Sequence, residues 1–388
     1  MAVKGKVQEV RGNEIKAIAG KLTDAETMIA MKDLMNRLGS DNYYHEALPK
    51  DVSPDVRSSY VANSSIAGLD EADWILLIGT NPRIEAPVFN ARIRKAYLNG
   101  VKIALIGAPV DLTYPYQHLG QGLAAIEGIT AGGAVLDEIK DAKKPLVIVG
   151  SSVLGRKDRD SVLAAVYDVC AKGGVVKEGW NGYNVLHDFA SSVAALDLGF
   201  VPSAAARASP PAKIVYLLGS DDYDDDDIPD DAFVVYQGHH GEKGAARADV
   251  VLPGAAYTEK TGTYVNFEGR VQRTFSAVPT ISDARDDWKI VRALSEVLEV
   301  QLPYDDLDQV RGRLTDVAPH FAHYNKIQPS MWLNGRHVEA NLTQRDVKET
   351  TPLQSSISNF FMTDVISRTS RTMAKCIQAH AAAAEQKL

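Results

Sequence analysis

The most informative segment of the chain is residues 233–275, which read FVVYQGHHGEKGAARADVVLPGAAYTEKTGTYVNFEGRVQRTF. It contains two short, valine-rich apolar runs, residues 233–236 and 249–252. Each run is too brief for a helix and is bounded by turn-forming residues, glycine and proline among them. The two runs therefore predict strands of a buried sheet.

Six glycines punctuate this segment, at positions 238, 241, 244, 254, 262 and 269. Glycine at this density lets the backbone turn sharply or approach another group closely, because no Cβ stands in the way. The glycines do not form a G-x-G-x-x-G or a G-x-x-x-x-G-K-[ST] phosphate loop. The segment predicts a close approach to another group, with only a weak indication of a ligand.

Four apolar runs elsewhere share one form, because each ends in glycine: residues 75–79, 103–107, 146–150 and 215–219. Apolar runs that alternate with helices are typical of parallel sheets covered on both faces. Residues 15–19 form a further, shorter strand candidate. The sequence thus predicts an α/β fold of doubly wound, mostly parallel sheets with covering helices.

Helices are predicted where apolar residues recur at helical spacing. Thr23-Asp24-Ala25-Glu26 matches a capping box and opens a helix that Gly39 ends. Further helices are predicted at residues 86–98 and 159–172, and after Asp286-Asp287.

We expect three parts along the chain. Residues 1–135 form a first α/β domain, and residues 136–300 form a second one that includes the glycine-rich segment 236–270. Residues 301–388 form an extended C-terminal tail, which ends in an alanine-rich helical segment. This tail is expected to pack on the core or on a partner protein.

The composition is that of a globular protein, with 388 residues and a hydrophobic share of 45%. No apolar stretch approaches the roughly 18 residues that a membrane span needs. The N-terminal residues lack an apolar signal region and carry acids, which transit peptides usually avoid. If the protein enters an organelle, we expect its presequence to be absent from this sequence.

The net charge of −8 traces to one segment, residues 221–231, which contains eight aspartates. Without them, 42 basic residues oppose 42 acidic ones, and no basic patch indicates nucleic acid. The alternate spacing of Asp222, Asp224 and Asp226 resembles a calcium loop, but Asp227 and Phe233 stand where such a loop needs glycine and glutamate. A solvated acidic loop is the favoured interpretation.

The two cysteines, Cys170 and Cys376, form no metal-binding or disulfide pattern. Cys170 lies on an apolar helical stripe, which indicates a buried structural thiol. An iron–sulfur cluster needs about four ligands, usually cysteines, and this chain cannot supply them.

Few residues suggest chemistry. His239 and His240 could act as acid and base beside a glycine loop, but no nucleophile or paired carboxylate accompanies them. Glu259-Lys260 and Glu268-Gly269-Arg270 could position a cofactor, although ion pairs and turns within the fold explain them at least as well. In parallel sheets, ligands bind beyond the carboxyl ends of the strands, here the loops 80–83, 108–111 and 151–152 and the aspartate run, and residues 238–244 are a further candidate.

The segment ADVVLPGAAYTEKTGTYVNFEGRVQ resembles the one with which molybdopterin oxidoreductases close over their pterin cofactor. Several blocks resemble the form of this fold found in the largest iron–sulfur subunit of respiratory complex I, the NADH–ubiquinone oxidoreductase. The resemblance extends from about residue 13 to residue 378, and its blocks are residues 65–95, 105–120, 236–270, 287–297, 302–314 and 360–376.

The resemblance implies a fold kept without its cofactor. The complex I subunit has an N-terminal part whose cysteines hold iron–sulfur clusters, and this chain resembles only the cluster-free part that follows. Gly79, Asn81 and Pro82 match the G-x-N-P of molybdopterin enzymes, but Glu85-Ala86-Pro87 leaves out the histidine that often follows. The metal-ligating cysteine, selenocysteine or serine has no evident counterpart. A separately encoded half is the favoured interpretation, with a truncated fragment as the alternative.

The first hypothesis is a non-catalytic structural subunit of the matrix arm of mitochondrial complex I, peripheral to the inner membrane. Under this hypothesis we expect no catalytic, cofactor-binding or metal-binding residues and no cofactor on this chain. We also expect no binding to nucleic acid and no membrane span. Its partners would be other complex I subunits, including a cysteine-rich chain that carries the iron–sulfur clusters. The alternatives are an active molybdopterin-dependent oxidoreductase and an unrelated nucleotide-binding α/β enzyme.

Overall fold

The computed structural model describes residues 2–330, 342 and 347–385. Within these residues the chain forms fourteen strands: β1 Ile15–Ala19, β2 Tyr43–His45, β3 Trp74–Ile78, β4 Lys102–Ile106, β5 Gln117–Gly120, β6 Pro145–Gly150, β7 Val176–Lys177, β8 Trp180–Asn181, β9 Tyr183–Leu186, β10 Ile214–Leu218, β11 Phe233–Gly238, β12 Val250–Pro253, β13 Thr263–Val265 and β14 Val271–Arg273.

The α-helices of the described residues cover both faces of the sheets. They are α1 Ala2–Gln8, α2 Ala25–Arg37, α3 Ser65–Gly68, α4 Pro82–Glu85, α5 Pro87–Leu98, α6 Leu123–Thr130, α7 Ala134–Asp141, α8 Arg159–Gly173, α9 Ser192–Asp197, α10 Ala204–Arg207, α11 Lys243–Arg247, α12 Asp287–Val297, α13 Leu307–Val317, α14 Val365–Thr369 and α15 Arg371–Glu385. None of them combines the length and apolar character needed to cross a bilayer.

The strands form two five-stranded sheets. The first sheet has the order β12-β11-β10-β1-β2, and all its neighbours are parallel. The second sheet has the order β5-β4-β3-β6-β9 and is also parallel throughout. Two small antiparallel hairpins, β7–β8 and β13–β14, complete the strands. The predicted doubly wound, mostly parallel α/β architecture is confirmed.

All seven predicted strands are present, but they divide between the sheets. Three of the four glycine-ended runs form β3, β4 and β6 of the second sheet, whereas the fourth forms β10 of the first. The two runs of the glycine-rich segment form β11 and β12 beside β10. Apolar runs that look alike in sequence therefore do not all belong to the same sheet.

The chain path interleaves the two sheets. The first sheet takes β1 and β2 from the beginning of the chain and β10–β12 from after residue 213, while β3–β6 and β9 of the second sheet lie between them. A boundary between residues 135 and 136 would separate β3 from its partner β6, and β1 from its partner β10. The sheets thus do not follow the division proposed from sequence, because strand pairing joins segments that are distant along the chain.

The helix predictions hold with one correction at α2. Helices α5 and α8 begin and end within about one residue of their predicted positions, and α12 begins at Asp287, where a helix was predicted to start. At α2, however, Asp24 and not Thr23 is the N-cap, and its carboxylate accepts from the Thr27 amide at 2.8 Å. Glu26 does not complete a capping box, because Thr263 and Arg311 engage its carboxylate.

Part of the predicted C-terminal tail belongs to the main core. Helix α13 packs on α2, and Leu302, Val310, Leu314 and Phe321 are buried in the same apolar cluster as Ile29 and Leu34. The alanine-rich end of the chain forms the predicted helix, α15. Cys170 is buried on α8 with 1% of its surface exposed, as expected of a structural thiol.

Candidate functional site

The carboxyl ends of the two sheets face a common crevice of about 580 Å³. Lys21 and Glu46 reach it from the ends of β1 and β2, and Asp222 reaches it from the end of β10. Ser151 and Asp188 enter it from the ends of β6 and β9. This is the place where parallel α/β sheets bind ligands, and two of the loops named from sequence, 151–152 and the aspartate run, do meet there.

Glu46 holds the first-sheet side of the crevice together. Its carboxylate accepts from Ser220 Oγ at 2.5 Å and from the backbone amides of Lys21, Asp221 and Asp222 at 3.0–3.1 Å. Burial raises the pKa of Glu46 to about 7, against the effect of these hydrogen bonds. Glu46 therefore links the loops after three neighbouring strands, β10, β1 and β2.

Two carboxyl groups lie close together on the second-sheet side. Burial and the nearby Asp188 raise the pKa of Glu85 to about 7, and burial also raises the pKa of Asp188. A carboxyl pair with raised pKa values can in principle move a proton near neutral pH. Here the chain's own hydroxyl groups engage both acids: Thr80 donates to Glu85, and Ser356 donates to Asp188 at 2.5 Å.

Sequence reasoning missed this pair. In the sequence, Glu85 is notable only because Glu85-Ala86-Pro87 stands where molybdopterin enzymes often have a histidine. Asp188 lies far along the chain, after the end of another strand. No local spacing relates the two residues, and only the pairing of β3 with β6 and of β6 with β9 brings them together.

The predicted histidines lie at the end of β11. His239 Nδ1 is 2.6 Å from His240 Nδ1, and the two rings meet edge to face. Burial, His240 and Lys260 lower the pKa of His239 to about 4, so this ring is neutral at pH 7. His239 borders a cavity of about 20 Å³ with Gly238, Lys260 and Asp287, which is room for about one water molecule.

Lys260 closes this end of the first sheet. Its ammonium is 2.8 Å from Asp24 and also pairs with Asp287, and only 6% of its side chain is exposed. Burial opposes the charge, but the two carboxylates outweigh it and raise the pKa of Lys260. Asp287 also accepts from Gln237 Nε2 at 2.8 Å. The lysine therefore joins the N-termini of α2 and α12 to the glycine-rich segment.

Glu268 and Arg270 likewise bind within the fold. Glu268 accepts from the Ile66 amide and from Arg270 Nε, both at 2.8 Å, and Arg270 also donates to the Asn325 carbonyl at 2.9 Å. Gly269 adopts φ +79° in the turn between them. For Lys260, Glu268 and Arg270, the structure shows ion pairs and a turn. These are the contacts expected from the sequence as the alternative to cofactor binding.

The aspartate run is less solvated than expected. Asp221 and Asp227 are buried with 4% of their surface exposed. Asp221 accepts from Tyr236 and from the Gly244 amide, and Asp227 pairs with Lys50. The solvated-loop interpretation is thus wrong for these two residues, because residues distant in sequence supply their partners. Within the described part of the chain, no histidine, cysteine and acidic side chains gather as a metal-binding group.

A pterin cofactor with its phosphate does not fit the charge of this crevice. Its lining contains three cations, Lys21, Arg156 and Lys157, against five acids, Glu46, Asp188, Asp222, Asp224 and Glu349. Beside Lys260 and its two carboxylates the cavity measures about 20 Å³, whereas a separate cavity of about 750 Å³ is lined by Tyr257 and Tyr264 of the glycine-rich segment and by Arg273. An anionic ligand would meet more carboxyl groups than cations in the crevice, and the cavity beside Lys260 has no room for it.

Two protein-family models match the chain. The model for molybdopterin oxidoreductases matches residues 1–297, and the model for the C-terminal region of an NADH-ubiquinone oxidoreductase chain matches residues 326–376. Among solved structures, acetylene hydratase from Pelobacter acetylenicus aligns with a TM-score of 0.54 at 12% identity, covering 84% of this chain and 61% of that one. A chain of the formyltransferase/hydrolase complex from Methylorubrum extorquens gives 0.53 at 13% identity, covering 77% and 94%. These two likenesses concern the fold alone.

Curated relatives are much more similar in sequence. The mitochondrial NADH dehydrogenase (ubiquinone) iron-sulfur protein 1 of Solanum tuberosum is 46% identical over 95% of this chain and 50% of its own length. The mitochondrial NADH-ubiquinone oxidoreductase 78 kDa subunit of Candida albicans is 47% identical over 97% of this chain and 53% of its own. The 75 kDa subunit of Reclinomonas americana is 39% identical over 95% and 56%.

The chain spans about half the length of these curated relatives. The first family model covers most of the described fold, including both sheets, and the second covers the C-terminal part that follows. The chain therefore belongs to the molybdopterin oxidoreductase family and is similar, over nearly its whole length, to the 75 and 78 kDa subunits of NADH–ubiquinone oxidoreductase.

Proposed function

We propose that this chain is a non-catalytic structural subunit of the matrix arm of mitochondrial complex I. It would be the cluster-free half of the large iron–sulfur subunit and would support electron transfer from NADH to ubiquinone. The observation that carries the proposal is the 46–47% identity to complex I subunits over at least 95% of this chain.

The state of the crevice supports a non-catalytic role. The chain's own groups engage two acids of the crevice: Glu46 accepts from four donors, and one oxygen of Asp188 accepts from Ser356. Outside the crevice, Lys260 pairs with two aspartates. An acid or base in catalysis must bring a proton or lone pair within hydrogen-bond reach of a substrate. The paired side chains of the crevice hold the strand ends in place.

If this chain is a scaffold, the redox centres lie on other chains. Two cysteines, one of them buried on α8, cannot ligate an iron–sulfur cluster of the usual kind. We propose that a separate cysteine-rich partner carries the clusters, and that this chain helps to hold and insulate them. The names of the plant and yeast relatives place those proteins in mitochondria. For this chain we propose the matrix side of the inner membrane, as a peripheral subunit.

The test is native purification of this chain from its source, with metal and pterin analysis and identification of the co-purifying proteins. We expect other NADH dehydrogenase subunits, a separate cysteine-rich chain and substoichiometric molybdenum. Stoichiometric molybdenum on an isolated chain would contradict the proposal and favour an active molybdopterin-dependent oxidoreductase. A chain that purifies alone without molybdenum would contradict complex I membership.

A further inference from the structure

One segment of the chain lies across the ligand face of the second sheet. We call residues 347–370 the C-terminal strap. Leu353 of the strap is fully buried in the apolar cluster of that sheet, together with Ile78, Ile106 and Val153. The Ala108 amide donates to the Leu353 carbonyl at 2.7 Å, and the Leu353 amide donates to the Gln121 carbonyl at 2.8 Å. The strap therefore binds the loops that follow β4 and β5.

Two glycines at strand ends make this approach possible. A Cβ on Gly107 would lie 2.6 Å from the Leu353 carbonyl oxygen, and one on Gly79 would lie 3.3 Å from Leu353 Cβ. Both glycines also have positive φ, +146° and +59°. Glycines at the ends of parallel strands commonly admit a ligand, and here they admit the chain's own backbone.

The strap is anchored at both sides of the crevice. On the second-sheet side, Arg156 donates to the carbonyls of Thr351 and Pro352 at 3.1 and 3.2 Å, and its Nε is 2.7 Å from the buried Asp158. On the first-sheet side, Arg368 binds Glu242 at 2.6 Å and Asp222 at 3.2 Å. The same segment thus spans the carboxyl ends of the two sheets.

The strap lies outside the part of the chain that the molybdopterin oxidoreductase model matches. That match ends at residue 297, whereas the NADH-ubiquinone oxidoreductase C-terminal model matches residues 326–376. The segment that covers the second sheet is therefore one that this chain shares with the complex I family.

We propose that the C-terminal strap is an intramolecular occupant of the ligand face of the second sheet. Leu353 and its neighbours take the position that a bound molecule would take at these strand ends, and the anchors at Arg156 and Arg368 fix the two sheets relative to each other. This inference rests on the proposed scaffold role, because an occupied ligand face suits a chain that binds no substrate there.

The test is amide hydrogen exchange on the 388-residue chain carrying Leu353→Asp, with Leu98→Asp as the matched control. A carboxylate at the buried Leu353 position should expel the strap, whereas Leu98 is 64% exposed. We expect exchange at the Ala108 amide, which donates to the strap, to rise at least about tenfold, with Ile18 and Val235 of the first sheet unchanged. A dye that binds exposed apolar surface should then fluoresce with the Leu353 variant and not with the control.

Two outcomes would overturn the proposal: unchanged exchange at Ala108, or exchange that rises equally in both sheets. If Leu353→Asp does not fold, Leu353→Ala provides the same comparison with a smaller expected rise. Failure of this test leaves the copurification test of the scaffold role unaffected, since exchange is measured on the chain by itself.

Discussion

Lys260 lies in the segment that resembles the pterin-closing segment of molybdopterin oxidoreductases, and its contacts here are structural. Its ammonium lies between Asp24 and Asp287, and all three side chains are almost completely buried. Burial works against ionisation of Asp24, but Lys260 and Thr27 outweigh it and lower the pKa of that carboxyl. Charges in such a place are tolerated only when their partners are present, so each depends on the other two.

Replacement of Lys260 by methionine should destabilise the fold strongly, because it leaves two aspartates buried without a counter-charge. We expect a loss of about 3–5 kcal/mol in the free energy of unfolding, measured by urea denaturation at pH 7.5. The matched control is Lys102→Met, which removes an ion pair to Glu138 from a lysine that is 66% exposed. That change should cost no more than about 1 kcal/mol; equal losses would contradict the assigned role of Lys260.

His239 makes stability depend on pH in the acid range. Its folded-state pKa of about 4 lies below the ordinary value of 6.5, so the unfolded chain takes up the proton first. The stability contributed by the neutral ring is present above pH 6.5 and is lost as the pH falls toward 4. Between pH 7 and pH 5, His239→Gln should therefore lose less stability than the wild type, by roughly 1–2 kcal/mol.

The matched control for this pH effect is His323→Gln, because His323 is exposed on the surface. Unfolding curves at pH 7, 6 and 5 for the three proteins provide the comparison. A His239 variant whose stability falls as steeply as that of the wild type would contradict the burial of a neutral ring.

Among the secondary-structure elements, the junction between β12 and α12 depends on the absence of a side chain. A Cβ on Gly254 would lie 2.2 Å from Asp287 Oδ1, the carboxylate oxygen that binds Gln237. Gly254 also pairs with Arg285 in an isolated bridge. The glycine therefore lets the end of β12 contact the first turn of α12.

Gly254→Ala should destabilise the protein by about 1–3 kcal/mol, since the buried Asp287 cannot move away without breaking its bonds. The control is Gly312→Ala in α13, where an added Cβ meets no atom within 4 Å. Because alanine favours helix more than glycine does, that change should stabilise by roughly 0.5–1 kcal/mol. Thermal unfolding of both variants tests the expected difference in sign.

At the scale of the whole molecule, the two chain segments that connect the sheets meet at a buried ion pair between Arg57 and Asp197. Arg57 lies on the path from β2 to β3, and Asp197 lies on the path from β9 to β10. The guanidinium binds the Asp197 carboxylate at 2.8 and 3.0 Å, and Tyr60 and His320 donate to the same carboxylate. Arg57 also donates to the Gly269 carbonyl at 3.1 Å. The interleaved chain is thus tied together where it crosses between the sheets.

The scaffold proposal predicts a contrast between two variants in the assembled complex. His239→Ala combined with His240→Ala should leave NADH–ubiquinone electron transfer nearly intact at pH 7.5, because neither ring serves a reaction. Gly254→Ala should lower the amount of assembled complex, because it destabilises the chain. The readouts are turnover per assembled complex and the yield of complex on native gels. A large loss of turnover with normal assembly in the histidine variant would argue for a catalytic role.

The local pattern of the sequence was sufficient for seven of the fourteen described strands, for most of the longer helices and for the fold class. Continuous apolar runs such as residues 75–79 bury both faces of a strand whatever surrounds them, so their conformation depends little on distant residues. The resemblance was also readable, because its motifs are contiguous. Tertiary structure alone decided which strands share a sheet, the partners of Lys260 and Asp227, and the nearness of Glu85 to Asp188. These depend on side chains that are distant in sequence and become neighbours only when parallel strands align their carboxyl ends.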